Sequence, residues 1–166
     1  IISRKDIIAS CKKDFDAAHP KLSKKKSKLF KARDIMTSGL MTATKDTPVH
    51  EVINTIVEQN ITGLPVVNED LSICGIVSEK DLLKVALDEK NYTKKVSQFM
   101  TKKVTSFGPD DSLIDICDCL IENPFRRVTI VDHKNRLIGL ISRRDIISYI
   151  LTRRASSMKR RRNDGQ

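Results

Sequence analysis

Two residue pairs have the types and spacing to do chemistry: Ser78 with Asp81, and Ser142 with Asp145. Each pair follows a Gly-apolar-apolar run, Gly75-Ile76-Val77 or Gly139-Leu140-Ile141, and each opens an apolar stretch, Leu82-Leu83 or Ile146-Ile147. Ser-x-x-Asp at a helix start fits a capping box, in which the Ser oxygen takes a backbone N–H and the acid three residues on reaches back. Asp is shorter than the Glu or Gln that closes such a box best, so a second reading stands beside the first. A strand-to-helix turn offers free N–H groups and the positive end of the helix dipole, which together make an anion site. An acidic side chain there can accept from a ribose diol. Phosphate and sugar recognition would then come from one turn.

The elements that must position these pairs are legible because the chain repeats itself. An offset of 64 residues, with no gap, places Gly75–Leu83 on Gly139–Ile147, Met36-Thr37 on Met100-Thr101, Asp46 on Asp110, Glu58 on Glu122 and Val67 on Val131. Apolar positions follow: Val49 with Leu113, Val52 with Ile116, Ile56 with Leu120, Leu64 with Val128, Val66 with Ile130, Ile73 with Leu137. The chain is an internal duplication. In the first copy an extended segment, Leu40 to Thr44, leads to Thr47-Pro48, an N-cap followed by proline at the first helical position. Val49, Val52, Ile53, Ile56 and Val57 have helical spacing, ending at Gln59-Asn60. Leu64–Val67 and Ile73–Val77 read as strands around the turn Asn68-Glu69-Asp70, and a second helix opens at Ser78 and runs through Leu87. In the second copy Asp111 takes the N-cap position. Val128–Val131 and Leu137–Ile141 are the strands, and the final helix runs from Arg143 to about Leu151. Each unit of about 55 residues has a marginal core alone, so the two should pack together.

Composition bounds the class. Of 166 residues, 39% are hydrophobic and only 4% aromatic, a globular composition with an aliphatic core. No apolar run approaches the roughly 18 residues that cross a bilayer, and the charged start is no signal peptide; we expect a cytoplasmic protein without a membrane partner. Cys11 and Cys74 stand alone, while Cys117 and Cys119 lack zinc-knuckle spacing, so all four read as plain thiols. His19, His50 and His133 have no ligand spacing, and no metal is expected. The formal charge of +10 resides at the ends: +8 over residues 1–33 and +5 over 151–166, against −3 between them. The division expected is a basic extension at 1–33, copies at 34–90 and 96–152, and a basic tail at 153–166. Six of the first eight residues match 140–147, which suggests the end of a further copy upstream in a longer parent chain.

The pattern Asp34-Ile35-Met36-Thr37, Asp46-Thr47-Pro48-Val49, Gly63-Leu64-Pro65-Val66-Val67 and Gly75–Leu83 resembles a cystathionine-beta-synthase (CBS) domain, and residues 98–151 resemble a second. The chain is therefore similar to a tandem CBS pair, or Bateman module, over roughly residues 33–152. The resemblance implies a fold of the α/β (α+β) class, two β-α-β-β-α repeats packed around a pseudo-two-fold axis. It implies an adenosyl ligand, AMP, ADP, ATP or S-adenosylmethionine, in clefts between the repeats. Asp81 and Asp145 would hold ribose hydroxyls, and Ser78 and Ser142 would meet phosphate or sugar. Thr37, Leu40, Met41 and Thr42, and Lys103, Val104 and Thr105, would line adenine pockets. Asp145 would share a pocket with Leu40–Thr42, and Asp81 with Lys103–Thr105.

The copies differ where Ile61-Thr62-Gly63 meets Phe125-Arg126-Arg127, and where Glu79-Lys80 meets Arg143-Arg144. Guanidinium suits phosphate, so Arg126, Arg127 and Arg143 give the Asp145 cleft the more phosphorylated ligand; the bland reading is a solvated pair. A homodimer through the exposed helices and a regulated domain in the parent chain are the partners implied. The alternative is a nucleic-acid-associated protein that dimerises through the repeats and binds through Arg153 to Arg162, although no aromatic residues interleave there. No activated nucleophile, Gly-rich phosphate loop or facing carboxylate pair argues for an enzyme.

Overall fold

The computed structural model describes residues 6, 9, 10, 30–83, 85 and 87–152. The resemblance of residues 1–8 to 140–147 lies almost wholly outside them, as does the basic tail. The helical spacing in the first copy becomes α1 (Val49–Glu58), which buries Val49, Val52 and Ile56. It is preceded by the two-residue strand β1 (Ala43–Thr44) and followed by β2 (Gly63–Val67), β3 (Ile73–Ser78) and α2 (Glu79–Leu83). The second copy repeats the order as β4 (Ser106–Phe107), α3 (Leu113–Glu122), β5 (Arg127–Val131), β6 (Leu137–Ser142) and a helix over 143–152, α4. This is β-α-β-β-α twice, with one three-stranded sheet per copy, β1-β2-β3 and β4-β5-β6.

In the first sheet β1 runs parallel to β2, Ala43 opposite Val66, and β2 runs antiparallel to β3. All five residues of β2 are buried, so it reads as a continuous apolar run rather than an alternation. Pro65 fits mid-strand because of its register. It lies opposite Ile76, whose N–H and C=O both bond to Thr101, so no ladder bond is lost to the missing N–H. Ala43, Val52, Ile56, Leu64, Val66, Val77, Leu82 and Val96 form the core here, each large side chain contributing about 1.5–3 kcal/mol of transfer free energy.

Both expected helix caps are off by one residue. Pro48, not Thr47, holds the N-cap position of α1, because the Thr47 hydroxyl accepts the Thr44 N–H and closes the preceding turn. Ser112, not Asp111, caps α3 by accepting from the Ile114 N–H at 3.2 Å, while Asp111 accepts from Gly108 N–H at 2.7 Å. The remaining free N–H groups of α1 find backbone partners: Val49 N–H donates to Lys94 O at 2.9 Å and His50 N–H to Tyr92 O at 3.1 Å. The second helix of the first copy is also shorter than its expected run through Leu87. Its assigned residues are Glu79–Leu83, and Leu87 is 97% exposed.

The described residues divide into two compact units, and neither is one copy. Unit 1 holds the residues up to Thr37, Phe107–Ile130 and those from Leu140; unit 2 holds Ser38–Ser106 and Val131–Gly139. The cause is an exchange of lead-in segments. Within unit 2, Lys95 bridges Pro48 and Thr101 bridges Ile76; within unit 1, Lys31 bridges Ser112 and Thr37 bridges Leu140. The 64-residue offset carries one pair of bridges onto the other. Ion pairs follow the same rule: Lys95 with Asp46, and Lys31, joined by Arg33, with Asp110. That pairing accounts for the superimposed Asp46 and Asp110. Phe30–Arg33, expected in the basic extension, belong to unit 1: the Phe30 ring meets Tyr149 edge-on and Ala32 is fully buried.

Candidate functional site

Each Ser–Asp pair stands where a strand hands over to a helix. In unit 2, Asp81 Oδ2 accepts the Ser78 N–H at 3.0 Å and the Ser78 hydroxyl at 2.6 Å. In unit 1, Asp145 Oδ2 accepts both from Ser142 at 2.7 Å, and the Asp145 N–H returns a bond to Ser142 Oγ at 3.3 Å. The capping geometry is thus formed, and the short acid suffices because both Ser donors converge on one oxygen. Asp81 and Asp145 are each half-buried, and their Oδ1 atoms accept no hydrogen bond among the described residues. One carboxylate oxygen holds the turn, and the other takes no part in it. The dipole contribution differs between the two, since α4 spans 143–152 and α2 only five residues.

A lead-in segment lies against each junction. In unit 2, Thr101 N–H donates to Ile76 O at 2.8 Å and Ile76 N–H to Thr101 O at 3.0 Å, two residues before Ser78. Gly75 admits this approach, because a Cβ there would overlap Met100 Sδ. Lys103, Val104 and Thr105 continue from Thr101, with Lys103 exposed and the other two half-buried. Asp81 and this stretch therefore share one unit. In unit 1, Thr37 and Leu140 exchange the same two bonds, at 2.9 and 3.0 Å, two residues before Ser142. Leu40, Met41 and Thr42 belong to unit 2, where they lead into β1 and Met41 is 48% exposed.

The arginines separate by role. The Arg126 carbonyl accepts the Arg143 N–H at 3.1 Å, as the Thr62 carbonyl accepts the Glu79 N–H at 3.2 Å in the first copy, so Arg126 stands beside the Ser142–Asp145 junction. Its side chain is exposed and makes no ion pair among the described residues. Arg127 opens β5 and is half-buried. Arg143 is engaged elsewhere: Nε and Nη2 donate to Leu120 O at 3.2 and 2.8 Å, and Nη2 also reaches Asn123 O and Phe125 O at 3.0 Å. Burial, with the Arg126 charge beside it, pushes this guanidinium below its ordinary pKa. Sequence reasoning missed this use of Arg143. The signal for it was the pair of differences Asn60/Pro124 and Glu79/Arg143. Among the described residues no group of His, Cys, Asp and Glu could hold a metal ion, and no helix is long and apolar enough to cross a membrane.

Comparison with known proteins agrees on both copies. The family described as CBS domain matches residues 32–88 and again residues 96–152. An inosine-5'-monophosphate dehydrogenase of Methanocaldococcus jannaschii is 36% identical over 117 residues, 70% of this chain and 23% of the enzyme. The chain spans 23% to 42% of the length of the first curated relatives it matches. Among solved structures, the CBS-pair protein CBSX2 of Arabidopsis thaliana in complex with AMP is 30% identical, covers 75% of this chain and 98% of its own, and has a TM-score of 0.70. The CBS domain pair of protein MJ0100, in complex with 5'-methylthioadenosine and S-adenosyl-L-methionine, has the same fold at 23% identity and a TM-score of 0.66. It covers 75% of this chain and 98% of its own.

Proposed function

The chain belongs to the CBS domain family as a tandem pair, and on that premise we propose that it is a non-catalytic regulatory module that senses an adenine nucleotide or related adenosyl ligand. The observation that carries this is the pair of strand-to-helix junctions in which Asp81 and Asp145 each spend one oxygen on the turn and keep the other. In unit 2 the ribose is held by Asp81, the phosphate side by Ser78 with Lys103, and the base by the backbone of Val104 and Thr105. In unit 1 the corresponding residues are Asp145, Ser142 and Thr37, with Arg126 and Arg127 supplying positive charge. Support comes from CBSX2, a structure solved with AMP and covered by the match over 98% of its length. The match to the dehydrogenase covers 23% of that enzyme, so no activity is carried over from it. Ligand binding acts by differential affinity for two arrangements of the module, whose population a regulated domain or partner reads.

Thermal unfolding with AMP, ADP, ATP and S-adenosylmethionine tests the proposal. A compound at 100 times its dissociation constant stabilises the fold by about 2.7 kcal/mol, a shift of several degrees. Asp81→Asn and Asp145→Asn keep an acceptor for the turn but weaken the diol contact. We expect one of them to abolish the ligand increment relative to its own ligand-free midpoint. If no compound moves the midpoint of the unsubstituted chain, the sensing function is wrong.

A further inference from the structure

The two copies end their first helices by different devices. In the first, Gln59 at ψ 0 and Asn60 at φ 50 turn the chain so that Ile61 N–H donates to Ile56 O at 3.1 Å. Asn is among the few residues other than glycine that adopt this left-handed backbone readily. The second copy has Pro124 in place of Asn60. Proline fixes its own φ near about −65° and drives the preceding residue to extended backbone, and Asn123 accordingly has ψ 157. The left-handed turn is closed to this copy, so the carbonyls at the end of α3 need another donor. Arg143, in place of Glu79, donates to the carbonyls of Leu120, Asn123 and Phe125. A glutamate has no proton to give them. Asn60 with Glu79, and Pro124 with Arg143, are matched solutions to one problem.

We infer that Arg143 is a positioning residue for the phosphate end of the unit 1 site: it pins the 123–126 turn and so holds Arg126 beside Ser142 and Asp145, without touching the ligand itself. This rests on the adenine-nucleotide reading of that junction and goes beyond it by dividing the labour among the arginines. The pin is direct on both sides, since the Arg143 side chain takes the carbonyl of Phe125 and its N–H takes the carbonyl of Arg126. Turning the guanidinium toward a phosphate would strip the carbonyls of buried Leu120 and half-buried Asn123 and Phe125 of this donor, at a cost that offsets the new bond. Arg126 has no such commitment among the described residues and is the arginine available to an anion.

The test is calorimetric titration of the full chain with AMP and with adenosine, in an Asp81→Asn background so that unit 1 alone is read, together with ligand-free thermal midpoints. Arg143→Ala should lower the midpoint and weaken AMP by about tenfold, the loss of one charge-assisted bond, with adenosine unchanged. Adding Arg143→Ala to Arg126→Ala should cost no further AMP affinity. Pro124→Asn added to Arg143→Ala supplies the first copy's device and should restore both the midpoint and AMP binding. That rescued variant decides the matter even if Arg143→Ala alone does not fold, because normal AMP binding without Arg143 is incompatible with a direct phosphate contact. Multiplicative losses in the double alanine variant, equal weakening of AMP and adenosine, or no rescue would each overturn the inference. If the Asp81→Asn background binds neither compound, the nucleotide reading of unit 1 fails, and the inference as stated fails with it; the midpoints alone then decide whether Arg143 pins the turn.

Discussion

Asp132 shows how one side chain organises a hairpin turn and what that implies for acid stability. It accepts from Arg136 Nε at 2.7 Å, from Arg136 N–H at 2.9 Å and from Lys134 N–H at 2.9 Å. The Arg136 side-chain bond is the main cause that lowers its pKa to about 2, with the backbone bonds adding to it. A carboxylate whose folded pKa is depressed contributes stability above its unfolded value, about 3.9, and loses it as pH falls through the folded value. The window for Asp132 is therefore about pH 4 down to about 2. The first copy has Asn68 here, with Nδ2 donating to Ser72 Oγ at 2.8 Å, so an amide is tolerated at this turn. Asp132→Asn is expected to make the fall in thermal midpoint between pH 4 and 2 shallower than in the unsubstituted chain. Some fall remains, because Asp110 and Asp70 are also lowered, by Lys31 and by Ser72. Identical slopes for the two proteins would show that the Arg136 bonds persist in the unfolded chain or do not form.

At the scale of elements, the hydrophobic period announced α1, α3 and all four long strands, because burial on one face leaves a repeating mark in the residues themselves. Their ends were less legible. Thr47 and Asp111 are good caps in isolation, yet each closes the turn before the helix, and a sequence does not say which of two adjacent acceptors the helix will use. The strand starts differ in the same way. Gly63 opens β2 where a Cβ would lie 2.6 Å from the Val77 carbonyl, a backbone atom that cannot step aside, whereas the second copy carries Arg127 at the matching position. Gly63→Ala is thus expected to cost about 1–3 kcal/mol, the usual range for overpacking. Denaturant unfolding reads the difference. A cost near zero would mean that the β2–β3 junction relaxes to admit the methyl group.

For the whole molecule, the duplication told which residues correspond but not which copy completes which. An offset of 64 is satisfied equally if each lead-in segment serves its own copy or the other, and the structure takes the second option through Thr37 with Leu140 and Thr101 with Ile76. The Ser–Asp pairs were visible as a candidate site because both copies keep them; the Arg143 bonds to the 120–125 carbonyls were not, because they depend on a proline nineteen residues away. The same logic of two copies bears on assembly. Val57, Leu83 and Leu87 are 72%, 71% and 97% exposed, and the offset carries them onto Ile121, Ile147 and the 61% exposed Leu151. Single exposed apolar residues need no explanation, but three positions kept apolar in both copies point to a surface that is covered in use. We propose a homodimer through these positions. A stable one buries about 800 Å² per partner, so sedimentation should give twice the chain mass at micromolar concentration, and Val57→Lys with Leu83→Lys should return the chain mass. Because both positions are exposed in the single chain, the ligand increment should survive the substitution. Sedimentation of the unsubstituted chain at one chain mass across the concentration range would refute the dimer and leave the apolar positions to a different partner.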